Sequence, residues 1–213
     1  MWVDFHVHTR RSRDSMASPK DVVKSAVRKG LRAIAITDHN EVKGIQEVKE
    51  EVRRLGADLM VIPGEEVKTA RGDVIGLFIS ERIPKGMDIS ETVDRIREQG
   101  GLVMVPHPFD RKMRGALGDA ILDILGKIDY IEVLNGRTPS WNNRKAEEFA
   151  KRYGIPGLGG SDAHWPGEIG KVRTLVARLD EGKIEPIKVE GDGWPPIIFG
   201  VLYSSIAKAF RIL

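Results

Sequence analysis

The 213-residue chain carries five histidines and no cysteine. His6 and His8 form an H-x-H pair in MWVDFHVHT, His39 lies in ITDHN, His107 stands between two prolines, and His164 ends GSDAH. Carboxylates keep them company: Asp38 precedes His39, Glu65 and Glu66 follow Gly64, and Asp162 stands two residues before His164. Residues two apart on a strand point to the same side, so His6 and His8 can grip one cation. Asp162 and His164 share that spacing. Imidazoles mixed with carboxylates suit Zn, Mn or Fe better than Ca or Mg alone. A lone buried histidine is usually a hydrogen-bonded core residue; here all five have polar company. Asp38 is either a ligand or an acceptor that orients an imidazole, and Asp4 is a structural or outer partner. The lack of cysteine excludes a disulfide framework, a thiolate zinc site, an iron–sulfur cluster and a cysteine nucleophile.

These residues need a scaffold that gathers them. Short apolar runs predict strands over residues 2–6, 31–37, 59–63, 73–79, 102–106, 130–134, 156–160 and 172–177, with 66–69 pairing 73–79 through the turn at 70–72. Amphipathic segments between them predict helices from Ser18-Pro19 to Gly30 and over 42–55, 90–99, 117–125 and 140–153. Alternating strands and helices of this length imply βαβ units, a parallel sheet and an α/β fold. With no dinucleotide glycine fingerprint, a closed barrel is favoured over an open sheet. Every histidine then falls at or just past the C-terminal end of a strand, the face on which such barrels carry their chemistry.

Composition narrows the class further. The chain has 34 basic and 31 acidic residues, a net charge of +3, and 41% hydrophobic residues. That is a globular composition, and its small positive charge gives only weak support for a polyanionic partner. Four Asn and two Gln beside abundant Lys, Arg and Glu match the bias of thermophile proteins. The N-terminus lacks the basic and apolar regions of a signal peptide, so a cytoplasmic protein is expected. No apolar run approaches the ~20 residues of a transmembrane span. One domain over 1–213 is expected, with a barrel core at 1–179 and an extension at 180–213. In that extension residues 185–194 read as a crossing segment. Apolar residues at three- and four-residue spacing over 196–212 predict an amphipathic helix, packed on the barrel or else a dimer contact or a membrane-surface helix.

The motifs FHVHT, ITDHN, PGEE, PHP and GSDAH, in this order, resemble the PHP (polymerase and histidinol phosphatase) superfamily from Trp2 to about Ala177. The resemblance implies a distorted (β/α)7 TIM-like barrel holding two or three divalent ions and hydrolysing phosphoesters. Carried over residue by residue, it implies a first ion on His6, His8, Glu65 and Asp162. Glu65 would bridge to a second ion that His107 also holds, and Asp14, His39 and His164 would hold a third. Glu66 should face away, since neighbours on a strand point to opposite sides. Relatives often carry another histidine at the end of the strand matching 130–134; Glu132 and Asn135 stand there instead, so two tight ions and one weak or absent ion is an alternative. Glu65, Asp162 and His164 are the expected catalytic residues, with the general acid open between Asp162, His164 and water.

Basic residues cluster after the motifs: Arg10, Arg11 and Arg13 after HVHT, Arg111, Lys112 and Arg114 after PHPF, and Arg137 after Asn135-Gly136. A guanidinium fork matches phosphate oxygens, and Arg137, then Arg11, are the expected substrate contacts. The expected function is a stand-alone metal-dependent phosphoesterase acting on a small phosphomonoester or nucleotide. The alternatives are a nuclease with the same metal centre, making nucleic acid the less favoured partner, and a non-catalytic scaffold barrel.

Overall fold

The computed structural model describes residues 1–110 and 115–192. The expected helix over 196–212 and the basic residues Arg111, Lys112 and Arg114 lie outside these. Nine strands form one sheet: β1 (Trp2–Val7), β2 (Ala33–Ile36), β3 (Met60–Lys68), β4 (Asp73–Leu77), β5 (Leu102–Val105), β6 (Tyr130–Asn135), β7 (Gly157–Gly160), β8 (Val172–Asp180) and β9 (Lys183–Gly191). Their order is β7-β6-β5-β4-β3-β2-β1-β8-β9. The helices are α1 (Pro19–Arg28), α2 (Lys43–Leu55), α3 (Ile89–Glu98) and α4 (Ser140–Tyr153). The helix expected over 117–125 is a run of 3-10 turns, Gly118–Lys127.

The sheet curls until its two flanks meet. Val7 bridges Ala163, just past β7, and the His8 N–H donates to Ala163 O at 3.0 Å. The Gly159 N–H donates to Thr174 Oγ1 at 2.8 Å, fastening β7 to β8 as well. The result is a nearly closed α/β barrel of the TIM type. It is less regular than an all-parallel (β/α) barrel, because β4 runs antiparallel to β3 and β5. The turn after Lys68 is too short for a parallel crossover, which needs a dozen residues or more.

The segment expected to cross after Gly182 is instead β9, paired antiparallel with β8 from Asp180↔Lys183 to Val172↔Gly191. The two residues Glu181-Gly182 make a hairpin connection. Pro186 is accommodated there because β9 is the edge of the sheet.

The two sides of the strands bury different clusters. Phe5, Ala33, Ile62, Ile75, Met104 and Leu158 fill the barrel interior. Ile34 and Ile36 pack outward against Val22, Val23 and Val48 of α1 and α2, while Val103 and Ile131 pack against Val93, Ile96 and Ile121. Each such side chain contributes roughly 1.5–3 kcal/mol on burial before entropy costs. Among the described residues, the buried histidines with Glu66 and Asp162 gather at the C-terminal strand ends.

Candidate metal centre

Strand alternation determines what faces the centre. On β1 the register slips between Asp4 and Val7. Phe5 packs in the interior, Val7 packs on the helix side, and the bulge between them turns His6 inward, with His8 following two residues on. His6 meets β6 there: its Nδ1 lies 3.0 Å from Glu132 Oε1. A side chain on Gly160 of β7 would collide with His6 Cβ and stand 2.8 Å from Glu132 Oε1, so this close approach requires glycine.

On β3 the interior residue Ile62 sets the parity. Glu66 follows it inward, and Glu65 shares the outward face with Val67, which packs on the helix side. The expectation for these neighbours is therefore reversed. Glu65 is buried away from the histidines and accepts from the Ile83 N–H at 2.8 Å, and burial pushes its carboxyl up to about 7. Glu66 Oε1 lies 3.0 Å from His107 Nε2. Its Oε2 lies 2.9 Å from His39 Nδ1 and 3.4 Å from both His6 Nε2 and His8 Nε2.

The remaining expected ligands converge as well. Asp162 Oδ1 is 3.2 Å from His8 Nε2 and 3.6 Å from His6 Nε2. Asp14 Oδ1 is 3.5 Å from His164 Nε2 and 3.7 Å from His39 Nε2. Among the described residues, three sets bring potential ligand atoms within 4.8 Å of one another: His6, His8 and Asp162; His6, Glu66 and His107; and His8, His39 and His164. His107 and Asp162 hold φ values of 27° and 53°, as does Asn40 at 53° beside His39. Non-glycine residues rarely adopt this left-handed region, and such strain concentrates where function dictates the backbone.

The electrostatics fit a cation. Burial opposes the charge on Glu66, yet His39, His6 and His107 hold its carboxyl well below the usual range. Asp162 is likewise held low against burial by His6, His8 and His164. His8 is pushed down to about 3, first by burial and then by the neighbouring imidazoles His164 and His39. His6 Nε2 and His8 Nε2 stand 3.0 Å apart. Glu66 Oε2 is buried among three imidazole nitrogens, of His39, His6 and His8. A low-titrating carboxylate on which several imidazole nitrogens converge is the donor set of a divalent metal.

Outer groups fix the rings. Glu132 Oε2 accepts from the His107 N–H at 2.8 Å and from Asn135 Nδ2 at 2.9 Å, so Glu132 is an acceptor throughout and selects the Nδ1–H tautomer of His6. His8 Nδ1 lies 3.0 Å from Ser12 Oγ, which donates to Asp38 Oδ1 at 2.8 Å. Asp38 also accepts from the Thr9 and Ser12 N–H groups and from Thr9 Oγ1. Its carboxylate thus orients His8 through Ser12 and lies outside the ligand sets. Asp4 accepts from Ser161 N, Ser161 Oγ and Gly170 N, tying the Asp162–His164 loop to β1.

Each of the two expected substrate arginines has a carboxylate partner. Arg11 pairs with Glu47 on the surface of α2. Arg137 is buried, 3.4 Å from Glu168 Oε2, the oxygen that also accepts from the His164 and Trp165 N–H groups. Ser12 and Glu168 carried no sequence signal of their own; each is found only through the contact it makes.

The chain is 39% identical over 145 residues to the Methanocaldococcus jannaschii protein MJ1587, covering 63% of this chain and 82% of that one. It is 30% identical over 130 residues to the 5'-3' exoribonuclease Rnm of Salmonella typhimurium, covering 55% of this chain and 44% of that enzyme. Its fold superposes with a TM-score of 0.73 on a two-domain Bacteroides vulgatus protein containing a predicted PHP-like metal-dependent phosphoesterase, at 19% identity, over 90% of this chain and 65% of that one. Residues 140–185 match the PHP-associated family, residues 4–154, which carry every histidine but His164, match the PHP domain, and the chain belongs to the PHP family.

Proposed function

We propose that the protein is a metal-dependent phosphoesterase that hydrolyses a small phosphomonoester or nucleotide. The observation that carries this reading is the buried Glu66 carboxylate, whose Oε2 faces His6, His8 and His39 while its Oε1 faces His107. In this reading His6, His8, Glu66 and Asp162 hold one ion, Glu66 and His107 share a second, and Asp14, His39 and His164 hold a third; Zn, Mn and Fe suit these donors. Bound cations lower the pKa of a coordinated water to near neutrality and offset the charge of a phosphate.

The chain's own residues supply the positioning. Glu132 and Ser12 keep the Nε2 atoms of His6 and His8 turned to the centre, and the Asp162 backbone oxygen 2.9 Å from His164 Nδ1 does so for His164. An apolar cluster that includes Phe5, Ile62 and Met104 packs in the interior beneath them. Asp162, His164 and water remain the candidates for protonating the leaving group.

The test is to load the protein with Mn²⁺ or Zn²⁺ and assay an aryl phosphate, a bis-aryl diester and a nucleotide panel. Metal-dependent release from the monoester supports the reading; inactivity on every ester with all metals refutes it. A second reading, a 5'-3' exoribonuclease, is favoured by the similarity to Rnm. A 5'-phosphorylated, labelled oligoribonucleotide in the same assay separates the two.

A further inference from the structure

β2 ends at Ile36, yet the chain beyond it stays beside β3 as far as Asn40. The Glu66 N–H donates to Asp38 O at 3.2 Å and the Asn40 N–H donates to Glu66 O at 3.0 Å, which pairs His39 with Glu66 in parallel. A parallel ladder carried one rung further would set the Lys68 N–H against Asn40 O. The backbone does not supply that rung. Asn40 holds a φ of 53°, and its O accepts instead from Arg82 Nε at 2.7 Å. The side chain completes the ladder: Asn40 Oδ1 accepts from the Lys68 N–H at 2.9 Å.

Asparagine meets both demands of this position. With aspartate it enters the left-handed region more readily than other residues that carry a Cβ, and its short side chain ends in a carbonyl that can stand in for a backbone acceptor. Arg82 is held in its turn by Ile83, whose N–H donates to the buried Glu65 at 2.8 Å. His39 depends on this arrangement more than the other ligands do. Its side chain is 34% exposed, whereas the other four histidines are buried, so packing restrains its ring least. On its N-terminal side the His39 N–H donates to Ser12 Oγ at 3.0 Å; on its C-terminal side the restraint is Asn40. Between the two, His39 Nδ1 lies 2.9 Å from Glu66 Oε2 and Nε2 lies 3.7 Å from Asp14 Oδ1.

We propose that Asn40 is the positioning residue of His39. Bonded to β3 through both its N–H and its Oδ1, it fixes the His39 ring between Glu66 and Asp14 and so sets the affinity of the ion assigned to Asp14, His39 and His164. That assignment rests on the reading above, but the inference requires only that a cation binds there, not that an ester is cleaved. It gives the Asn of ITDHN a part that no ligand set includes: it offers the centre no donor atom and acts only through the backbone of its neighbour.

Mn²⁺ is the probe, titrated calorimetrically into chelator-treated protein, with His39→Ala marking the binding step that His39 supports. Asn40→Ala removes the acceptor and strains the left-handed backbone, and should weaken that step about tenfold, the low end of the loss expected for an outer partner of a metal ligand. Asn40→Gly relieves the strain but still lacks the acceptor, and should stay weakened. Asn40→Asp keeps an acceptor and tolerates the φ, and should return the affinity to that of the parent. Rescue by aspartate and not by glycine separates a role of Oδ1 from a turn that merely needs a permissive residue. Adding Asn40→Ala to His39→Ala should cost no further Mn²⁺ affinity. Parent-like Mn²⁺ binding in Asn40→Gly overturns the proposal, and so does a further loss in the double variant. If the parent cleaves no ester while Mn²⁺ binding follows this order, the phosphoesterase reading fails and this inference stands; if it cleaves esters while Asn40→Gly binds Mn²⁺ as the parent does, the reverse holds.

Discussion

Glu132 Oε1 lies 3.0 Å from His6 Nδ1, and the same carboxylate accepts the backbone N–H of His107 through its other oxygen at 2.8 Å. One outer residue therefore sets both the ring tautomer of one imidazole and the backbone position of another. Glu132→Gln places an amide where two acceptor oxygens are needed. We expect metal affinity to fall by about 10–100-fold, with the fold retained. Competition against a fluorescent chelator measures it, and an unchanged affinity would show that His6 is oriented by other means.

The parity of β3 separates two adjacent carboxylates. Glu66→Gln should abolish hydrolysis almost completely and lower the metal content, because it removes the charge shared among four imidazoles. Glu65→Gln should leave both nearly intact, since an amide oxygen can still accept from Ile83 N–H. Metal analysis with kinetics on both variants checks this; the reverse outcome would restore Glu65 to the centre.

Arg137 is predicted to act on stability. It lies against the buried Glu168, whose Oε2 holds the His164 and Trp165 N–H groups. Arg137→Ala leaves that carboxylate without its guanidinium and should cost about 3 kcal/mol. Denaturant unfolding reads the loss directly. A variant of unchanged stability whose KM alone rises would return Arg137 to the role of substrate contact.

Acidity should act oppositely on the metal-free and metal-loaded forms. Although burial opposes it, Glu66 beside both rings pushes His39 and His107 up to about 9. In the unfolded chain each titrates near 6.5. Their contribution to stability is therefore complete below about 6.5 and is lost as pH rises through about 9. Chelator-treated protein should melt progressively lower from pH ~7 to ~9. Bound cations compete with the same protons, so metal-loaded protein should gain stability over that interval. Melting curves of both forms across this range decide it; parallel curves would exclude the histidines as ligands.

What the sequence made legible follows from what is local. H-x-H spacing, strand ends and glycine stops are written in runs of a few residues, and His6, His8, Asp14, His39, His107, Asp162 and His164 do converge. The choice between Glu65 and Glu66 depends on which face of β3 is interior. Ile62 inside and Val67 outside carry that parity, but it becomes readable only once the sheet has closed. The β8–β9 hairpin is not legible in the sequence: residues 185–194 read as a crossing segment, and Pro186 is tolerated in β9 because that strand is the sheet edge. Arg11 and Arg137 stand on the expected loops, and only the placement of Glu47 and Glu168 shows where their charges go.

Gly44 offers no ligand atom, yet its missing side chain bears on the centre. Gly44 lies in the first turn of α2, where replacing glycine by alanine ordinarily stabilises a helix by up to about 1 kcal/mol. Here the sign should invert. A Cβ at Gly44 would overlap Asp38 Oδ2 and stand 2.7 Å from Thr9 Oγ1. Asp38 cannot yield cheaply, because Thr9 and Ser12 together give it two N–H and two hydroxyl donors, and Ser12 Oγ is the group that meets His8 Nδ1. Displacing the carboxylate breaks buried hydrogen bonds, at roughly 1–3 kcal/mol for each polar group left unsatisfied. It also frees the His8 ring from its tautomer. Gly44→Ala should therefore lower the melting temperature of the metal-free protein and weaken metal binding as well. Gly126→Ala is the matched control, since a Cβ there meets nothing within 4 Å. Equal behaviour of the two variants would mean that the Asp38–Ser12–His8 chain does not set the geometry of the centre.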